Sequence, residues 1–285
     1  MESALTFACR GETLLGVLSQ PSGPTDTCLL IIVGGPQTRV GSHRLFVQLA
    51  RGIADAGIAA LRFDVRGMGD STGAQRSFED IGDDIRAAID AAQRHQPAFK
   101  RFVLWGLCDG ASAALMVLGQ RPDPRITGLC LVNPWVRSVT SEARTRVKHY
   151  YLQRLQQKDF WLKLFSGKVA GAAVGGLARS ALAAFGSSQS SATGPASADE
   201  HLPYQDRMAQ GWAAFSGPTL LVLSGNDYTA KEFVEYTAGH PRWQPLLARP
   251  AVRRLDFEQA DHTLSKPADK ARLLSAMREW LHAPA

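Results

Sequence analysis

The sequence predicts an α/β fold: a mostly parallel central sheet, helices on both faces, and a helical cap inserted at one edge. Three observations predict it. Short apolar runs recur at Cys28 to Val33, Ile58 to Phe63, Phe102 to Trp105, Ile126 to Val132 and Pro218 to Leu223, as in strands buried on both faces. Helix-like segments separate the runs, so the strands are expected to lie parallel, joined by crossovers. The alternation stops after Val132 and resumes at Pro218, which marks an insertion between them.

Taken in order, Leu5 to Phe7 and Thr13 to Ser19 alternate around Arg10-Gly11-Glu12 and read as an antiparallel hairpin. Cys28 to Val33 ends at Gly34-Gly35-Pro36-Gln37, and a helix is expected from about His43 to Ala56, closed by Gly57. Ile58 to Phe63 runs into the glycine-rich loop Asp64 to Ser71. Phe78 to Gln93 carries Ile81, Ile85 and Ile89 at a four-residue spacing and reads as an amphipathic helix. Beyond Val132, residues 137–215 read as the cap. They include the basic helix-like stretch Arg144 to Lys158, a Gly/Ala-rich stretch from Gly167 to Phe185, and a low-complexity Gly/Ser segment near 186–198 that is expected to be flexible. Thr229 to Tyr236 suggests a helix, Val252 to Phe257 the last strand, and Pro267 to Leu281 an amphipathic C-terminal helix. The core is thus expected at 1–136 and 216–285.

Composition excludes several classes. The 285 residues are 45% hydrophobic and 20% charged, which suits a globular chain with a large core. The net charge of +6 comes without any nucleic-acid-binding motif, so no nucleic-acid partner is expected. The four cysteines, Cys9, Cys28, Cys108 and Cys130, show no C-x-x-C or metal spacing, and neither metal nor cofactor is expected. MESALTFACRGE has no basic region followed by an apolar run, so a signal peptide is not expected and a cytoplasmic location is.

Chemistry concentrates at Gly106-Leu107-Cys108-Asp109-Gly110. This is G-x-C-x-G between an apolar strand and a helix, the nucleophile-elbow pattern with cysteine at its centre. Small residues on either side let the central residue occupy a strained turn, and the helix start favours a thiolate. A cysteine nucleophile needs a base, and the base an orienting acid. His262 follows the last strand and Asp227 the strand before it, so Cys108, Asp227 and His262 all fall at carboxyl ends of strands. Asp261, beside His262, would point away from it in an extended loop. For the oxyanion, one backbone donor is expected at Asp109 and a second in the 34–37 loop. Pro36 has no N–H, so Gln37 is the first choice and Gly35 the second. Arg39, His43, Arg44 and Trp135 are candidate substrate contacts.

These motifs resemble the α/β-hydrolase superfamily over nearly the whole chain. The resemblance rests on the glycine loop, the Asp64 to Ser71 loop, the elbow, the insertion, Asp227 and His262, and it implies a Cys-His-Asp triad on an α/β-hydrolase fold. GGPQTRVGSHR, FDVRGMGDS and GLCDGASAA more narrowly resemble the type-1 hydrolase associated with exosortase A systems. That resemblance implies a link to exopolysaccharide export, with the protein cytoplasmic or peripheral at the inner membrane. Phe160, Trp161, Lys163, Phe165 and Lys168 suit a cap helix or a helix lying on an anionic membrane, and the first is the commoner meaning.

Three readings follow. The first is a hydrolase of activated acyl esters or thioesters through an acyl-enzyme on Cys108. The second is an acyltransferase using the same cysteine. The third is a non-catalytic scaffold in a membrane-associated assembly. The motif at Asp109 sets a carboxylate beside Cys108, and a like charge opposes thiolate formation.

Overall fold

The computed structural model describes residues 1–137 and 202–283. Most of the expected cap, including the Gly/Ser segment at 186–198, lies outside them.

The elements run β1 (Glu2–Cys9), β2 (Glu12–Ser19), β3 (Thr27–Ile32), α1 (Leu45–Asp55), β4 (Ala59–Phe63), α2 (Gly82–His95), β5 (Arg101–Leu107), α3 (Asp109–Gln120) and β6 (Ile126–Val132). After the insertion come α4 (Tyr204–Ala214), β7 (Thr219–Ser224), α5 (Tyr228–Ala238), α6 (Gln244–Leu247), β8 (Val252–Phe257) and α7 (Pro267–His282). The eight strands form one sheet in the order β1-β2-β4-β3-β5-β6-β7-β8. The β1–β2 hairpin is antiparallel and joins β4 antiparallel. From β4 to β8 every pairing is parallel. This is the α/β-hydrolase fold.

Alternation along the central strands builds the two cores. Cys28, Leu30 and Ile32 face one side of β3, while Leu29 and Ile31 face the other. In β5, Phe102 and Leu104 face the first side, Val103 and Trp105 the second. The first core is covered by α2, α3, α4 and α5 through Ile85, Ile89, Leu115, Trp212 and Phe233. The second is covered by α1 and α7 through Leu49, Ile53, Leu273 and Met277. A strand apolar on both faces can therefore only be central, as the continuous runs predict.

Three boundaries differ from expectation. Helix α1 begins at Leu45 rather than His43, because His43 and Arg44 take left-handed φ values of 51° and 59°. Helix α2 begins at Gly82 rather than Phe78. Ser77 instead accepts the Glu79 N–H and caps a short 3-10 turn at Phe78–Asp80. The third correction concerns the insertion, expected over 137–215. Leu202 onward belongs to the core unit, and α4 packs on α3 with Gly211 against the Leu115 carbonyl and Trp212 buried. Met208 and Trp212 are spaced as on one buried helical face.

Candidate active site

The site lies at the carboxyl ends of five neighbouring strands, β3, β5, β6, β7 and β8. Ligands bind at this edge of open α/β sheets.

Cys108 sits between β5 and α3 with φ 61° and ψ −126°, a conformation costing about 1–3 kcal/mol for a residue with a side chain. The surroundings enforce it. The Cys108 N–H donates to the Val132 carbonyl at 2.9 Å, and the Cys108 carbonyl accepts the Ala111 and Ser112 N–H groups at 3.0 and 3.2 Å. A Cβ at Gly110 would stand 2.7 Å from the Ile32 carbonyl, and one at Gly106 would press on the Gly110 and Ala111 backbone. Both glycines of the elbow are thus required by close approach.

No disulfide joins the four cysteines. Cys9, Cys28 and Cys130 are buried, whereas Cys108 is partly exposed. Burial pushes the Cys9 thiol up to about 11 and the Cys28 thiol up to about 12. These are structural cysteines, and exposure sets Cys108 apart as the one suited to attack.

Asp227 and His262 meet as the sequence order predicts. His262 Nδ1 lies 2.7 Å from Asp227 Oδ2. A carboxylate only accepts, so Nδ1 carries the proton and Nε2 is left as the base. Asp227 has a second task. Its Oδ1 and Oδ2 accept the Thr229 and Ala230 N–H groups at 3.0 and 3.2 Å, capping α5. The cap locks the carboxylate that orients the imidazole. Asp261 is engaged elsewhere: its Oδ1 accepts the Thr263 and Ser265 N–H groups, folding the loop that carries His262.

One positioning residue escaped the sequence reading. Asn133, fully buried, follows β6 with a left-handed φ of 46°. Its Oδ1 accepts the Ser224 N–H at 2.8 Å, and its Nδ2 donates to Ser224 Oγ at 3.0 Å and to the His262 carbonyl at 3.1 Å. It ties the end of β6 to the end of β7 and to the histidine loop. An Asn at the end of a buried run, just before Pro134, was its available signal. Asn133→Ala strands these buried groups and should cost about 2–3 kcal/mol. Urea unfolding measures the loss, and kcat should fall more than KM changes.

The expected substrate contacts fare differently. Arg39 is corrected. Its guanidinium is paired with Asp64 and Asp70, and its N–H donates to Asp64 Oδ1 at 2.6 Å. It staples the loop after β3 to the loop after β4 and has no cation to offer an anionic substrate. His43 and Arg44 are exposed and absent from the lining of the cavity beside the Gly34-Gly35 loop. The His43 carbonyl accepts Lys270 Nζ at 2.8 Å. Trp135 stands against the elbow. Its N–H reaches the Cys108 carbonyl at 3.3 Å and Ser112 Oγ at 3.0 Å.

The expected oxyanion donors lie in the loop after β3 and at the start of α3. The Gly35 N–H, second choice in the sequence, donates to Asp109 Oδ2 at 2.7 Å. The side chain of Gln37, whose N–H was the first choice, accepts the Ser42 N–H at 3.1 Å and so shapes its own loop. Burial raises the Asp109 carboxyl above the usual range, against the hydrogen bonds it receives and the charge of His262. Among the described residues no group of His, Cys, Asp and Glu could hold a metal ion, and no helix is long and apolar enough to cross a membrane.

A strained residue after the fifth strand, an acid after the seventh and a histidine after the eighth define an α/β-hydrolase. Within that superfamily, the chain belongs to the serine aminopeptidase S33 family, whose profile matches residues 38–232. The family is named for serine, whereas the elbow of this chain carries Cys108. Similar solved structures include the esterase Pf2001 of Pyrococcus furiosus, 16% identical, with a TM-score of 0.65 and coverage of 99% of this chain and 92% of that one. Est1E of Butyrivibrio proteoclasticus with bound ferulic acid is 14% identical, TM-score 0.61, covering 98% of each chain. A dienelactone hydrolase of Anabaena variabilis is 16% identical, TM-score 0.61, covering 99% of this chain and 96% of that one. No curated relative matches the sequence.

Proposed function

We propose that the chain hydrolyses activated acyl esters or thioesters through a covalent acyl-enzyme on Cys108. The observation that carries this is the His262–Asp227 hydrogen bond of 2.7 Å at the strand edge that also holds the strained Cys108. His262 Nε2 takes the Cys108 thiol proton as sulfur bonds to the acyl carbon and the carbonyl oxygen becomes an oxyanion. Collapse breaks the bond to the leaving alkoxide or thiolate, which takes that proton back from His262. Water, deprotonated by His262, then attacks the thioester and releases the acid and the Cys108 thiolate, which is reprotonated. Asp227 holds the productive tautomer and stabilises the imidazolium.

Cysteine suits activated acyl groups. From an amide's tetrahedral intermediate the thiolate is the better leaving group and tends to be expelled again, which argues against aminopeptidase activity. The Pyrococcus furiosus protein is an esterase, which agrees with this choice of substrate. The segments 34–44, 63–71 and 106–114 support an exosortase and exopolysaccharide setting, with the protein cytoplasmic or peripheral at the inner membrane. The insertion between the two core segments is proposed to act as a cap.

The test is steady-state turnover of p-nitrophenyl acetate, an acyl thioester and an aminoacyl p-nitroanilide. Ester and thioester should turn over and the anilide should not, and Cys108→Ala should lower kcat/KM by at least ~10³-fold. Anilide cleavage at the ester's rate, or full activity in Cys108→Ala, would overturn the proposal.

A further inference from the structure

The oxyanion hole of such a site needs backbone N–H groups aimed at one point. Two of the expected donors are the Asp109 N–H, just after the nucleophile, and an N–H of the loop after β3. In this chain the second of them already has an acceptor, and it belongs to the protein. Asp109 Oδ2 accepts the Gly35 N–H at 2.7 Å. The fit is close: a Cβ at Gly34 would collide with Asp109 Oδ1 and with the Gly110 nitrogen.

We propose that the Asp109 carboxylate fills the oxyanion hole of the resting chain and must leave before an acyl group can react. The residue that follows the nucleophile is then an autoinhibitory plug. The proposal rests on reading Cys108 as the nucleophile.

Three features support a plug rather than an ordinary charged first turn. An acid favours a helix start through the dipole from a solvated position, but Asp109 reaches across to a separate loop, seventy-four residues away in sequence. A carboxylate oxygen on the Gly35 N–H puts negative charge where that N–H would meet an oxyanion. The plug also has somewhere to go. Asp109 forms part of the wall of a cavity of about 210 Å³, together with Val65, Met68, Phe78 and the exposed Arg76. Turning into that cavity releases the Gly35 N–H and clears the hole. A bound acyl carbonyl would hold it clear.

Removing Asp109 also removes a negative charge beside Cys108, which by itself makes the thiol more reactive. The experiment separates the two effects by comparing two reactions of one sulfur. Alkylation by iodoacetamide needs a thiolate but no oxyanion hole, whereas acylation by p-nitrophenyl acetate needs both. The rates are measured side by side for the wild type, Asp109→Ala and Asp109→Asn. The plug predicts that the ratio of acylation to alkylation rises at least ~10-fold in Asp109→Ala, part of the ~10²–10³-fold that one oxyanion donor contributes. It should rise less in Asp109→Asn, whose neutral amide still fits the site. Acetate should compete with acylation in Asp109→Ala and not in the wild type.

Equal rises in both rates, leaving the ratio unchanged, would overturn the plug while leaving Cys108 as nucleophile. A fall in thermal stability with the ratio unchanged has the same meaning and makes Asp109 a structural cap. Alkylation without acylation in all three proteins would overturn the plug and the acyl-enzyme together. If Asp109→Ala does not fold, Asp109→Gly, which also removes the carboxylate, carries the same comparison.

Discussion

Asp227→Asn should lower kcat by about 10⁴-fold and leave the melting temperature almost unchanged. The two halves of that expectation come from the two tasks of one carboxylate. As helix cap, Asp227 accepts the Thr229 and Ala230 N–H groups, and asparagine is as good a cap as aspartate. As the proposed triad acid, it accepts the hydrogen bond of His262 Nδ1. An amide can offer an N–H in place of an acceptor oxygen, which turns the imidazole to the tautomer with the proton on Nε2, where the base should be. Asp227→Ala would lose the cap as well, at about 1 kcal/mol. Kinetics with thermal melts of both variants check this. Equal loss of activity and stability in Asp227→Asn would mean that the residue is only a cap.

The largest stability effect is expected at Asp84. Its side chain is fully buried and faces Arg66, itself 7% exposed. Arg66 Nη2 donates to Asp84 Oδ2 at 2.7 Å, Nε lies 3.0 Å from both oxygens, and the Arg66 N–H donates to Oδ1 at 2.8 Å. The pair fastens the loop after β4 to α2. Asp84→Ala leaves a buried guanidinium without its counter-charge and should cost about 3–5 kcal/mol. Replacing both partners by apolar residues should cost less than the single change, because no charge is then stranded. Denaturant unfolding of the single and double variants tests this. A double variant that loses as much as the two single changes summed would show that the residues act independently.

The fold was legible because its central strands are apolar on both faces. CLLIIV cannot sit at an edge or alternate with solvent, and the intervening segments have helical spacing. The proposed triad was readable for a related reason. Once strand ends are located, Cys108, Asp227 and His262 fall on them in order. Helix α4 was less legible. Tyr204 to Ala214 adjoins a Gly/Ser-rich segment, and its mixed composition hides the short buried face that Met208 and Trp212 present to α3. Side-chain partners across distant loops were not legible at all. Nothing in the spacing of Arg39 says that Asp64 and Asp70 will neutralise it. Asn133 gives no sign of the loop it holds, 129 residues away. Asp109 read as an N–H donor because the motif fixes backbone geometry, while the direction of its carboxylate depends on the Gly34-Gly35 loop packed against it.

The central claim is that Cys108 forms a covalent acyl-enzyme. The most direct measurement is intact mass after rapid acid quench of the protein mixed with p-nitrophenyl acetate, followed by peptide mapping. The account predicts a gain of one acetyl group on the peptide containing Cys108, absent in Cys108→Ala and slow to form in His262→Ala. An adduct of equal yield in Cys108→Ala, or none at all while the ester is being turned over, would contradict it.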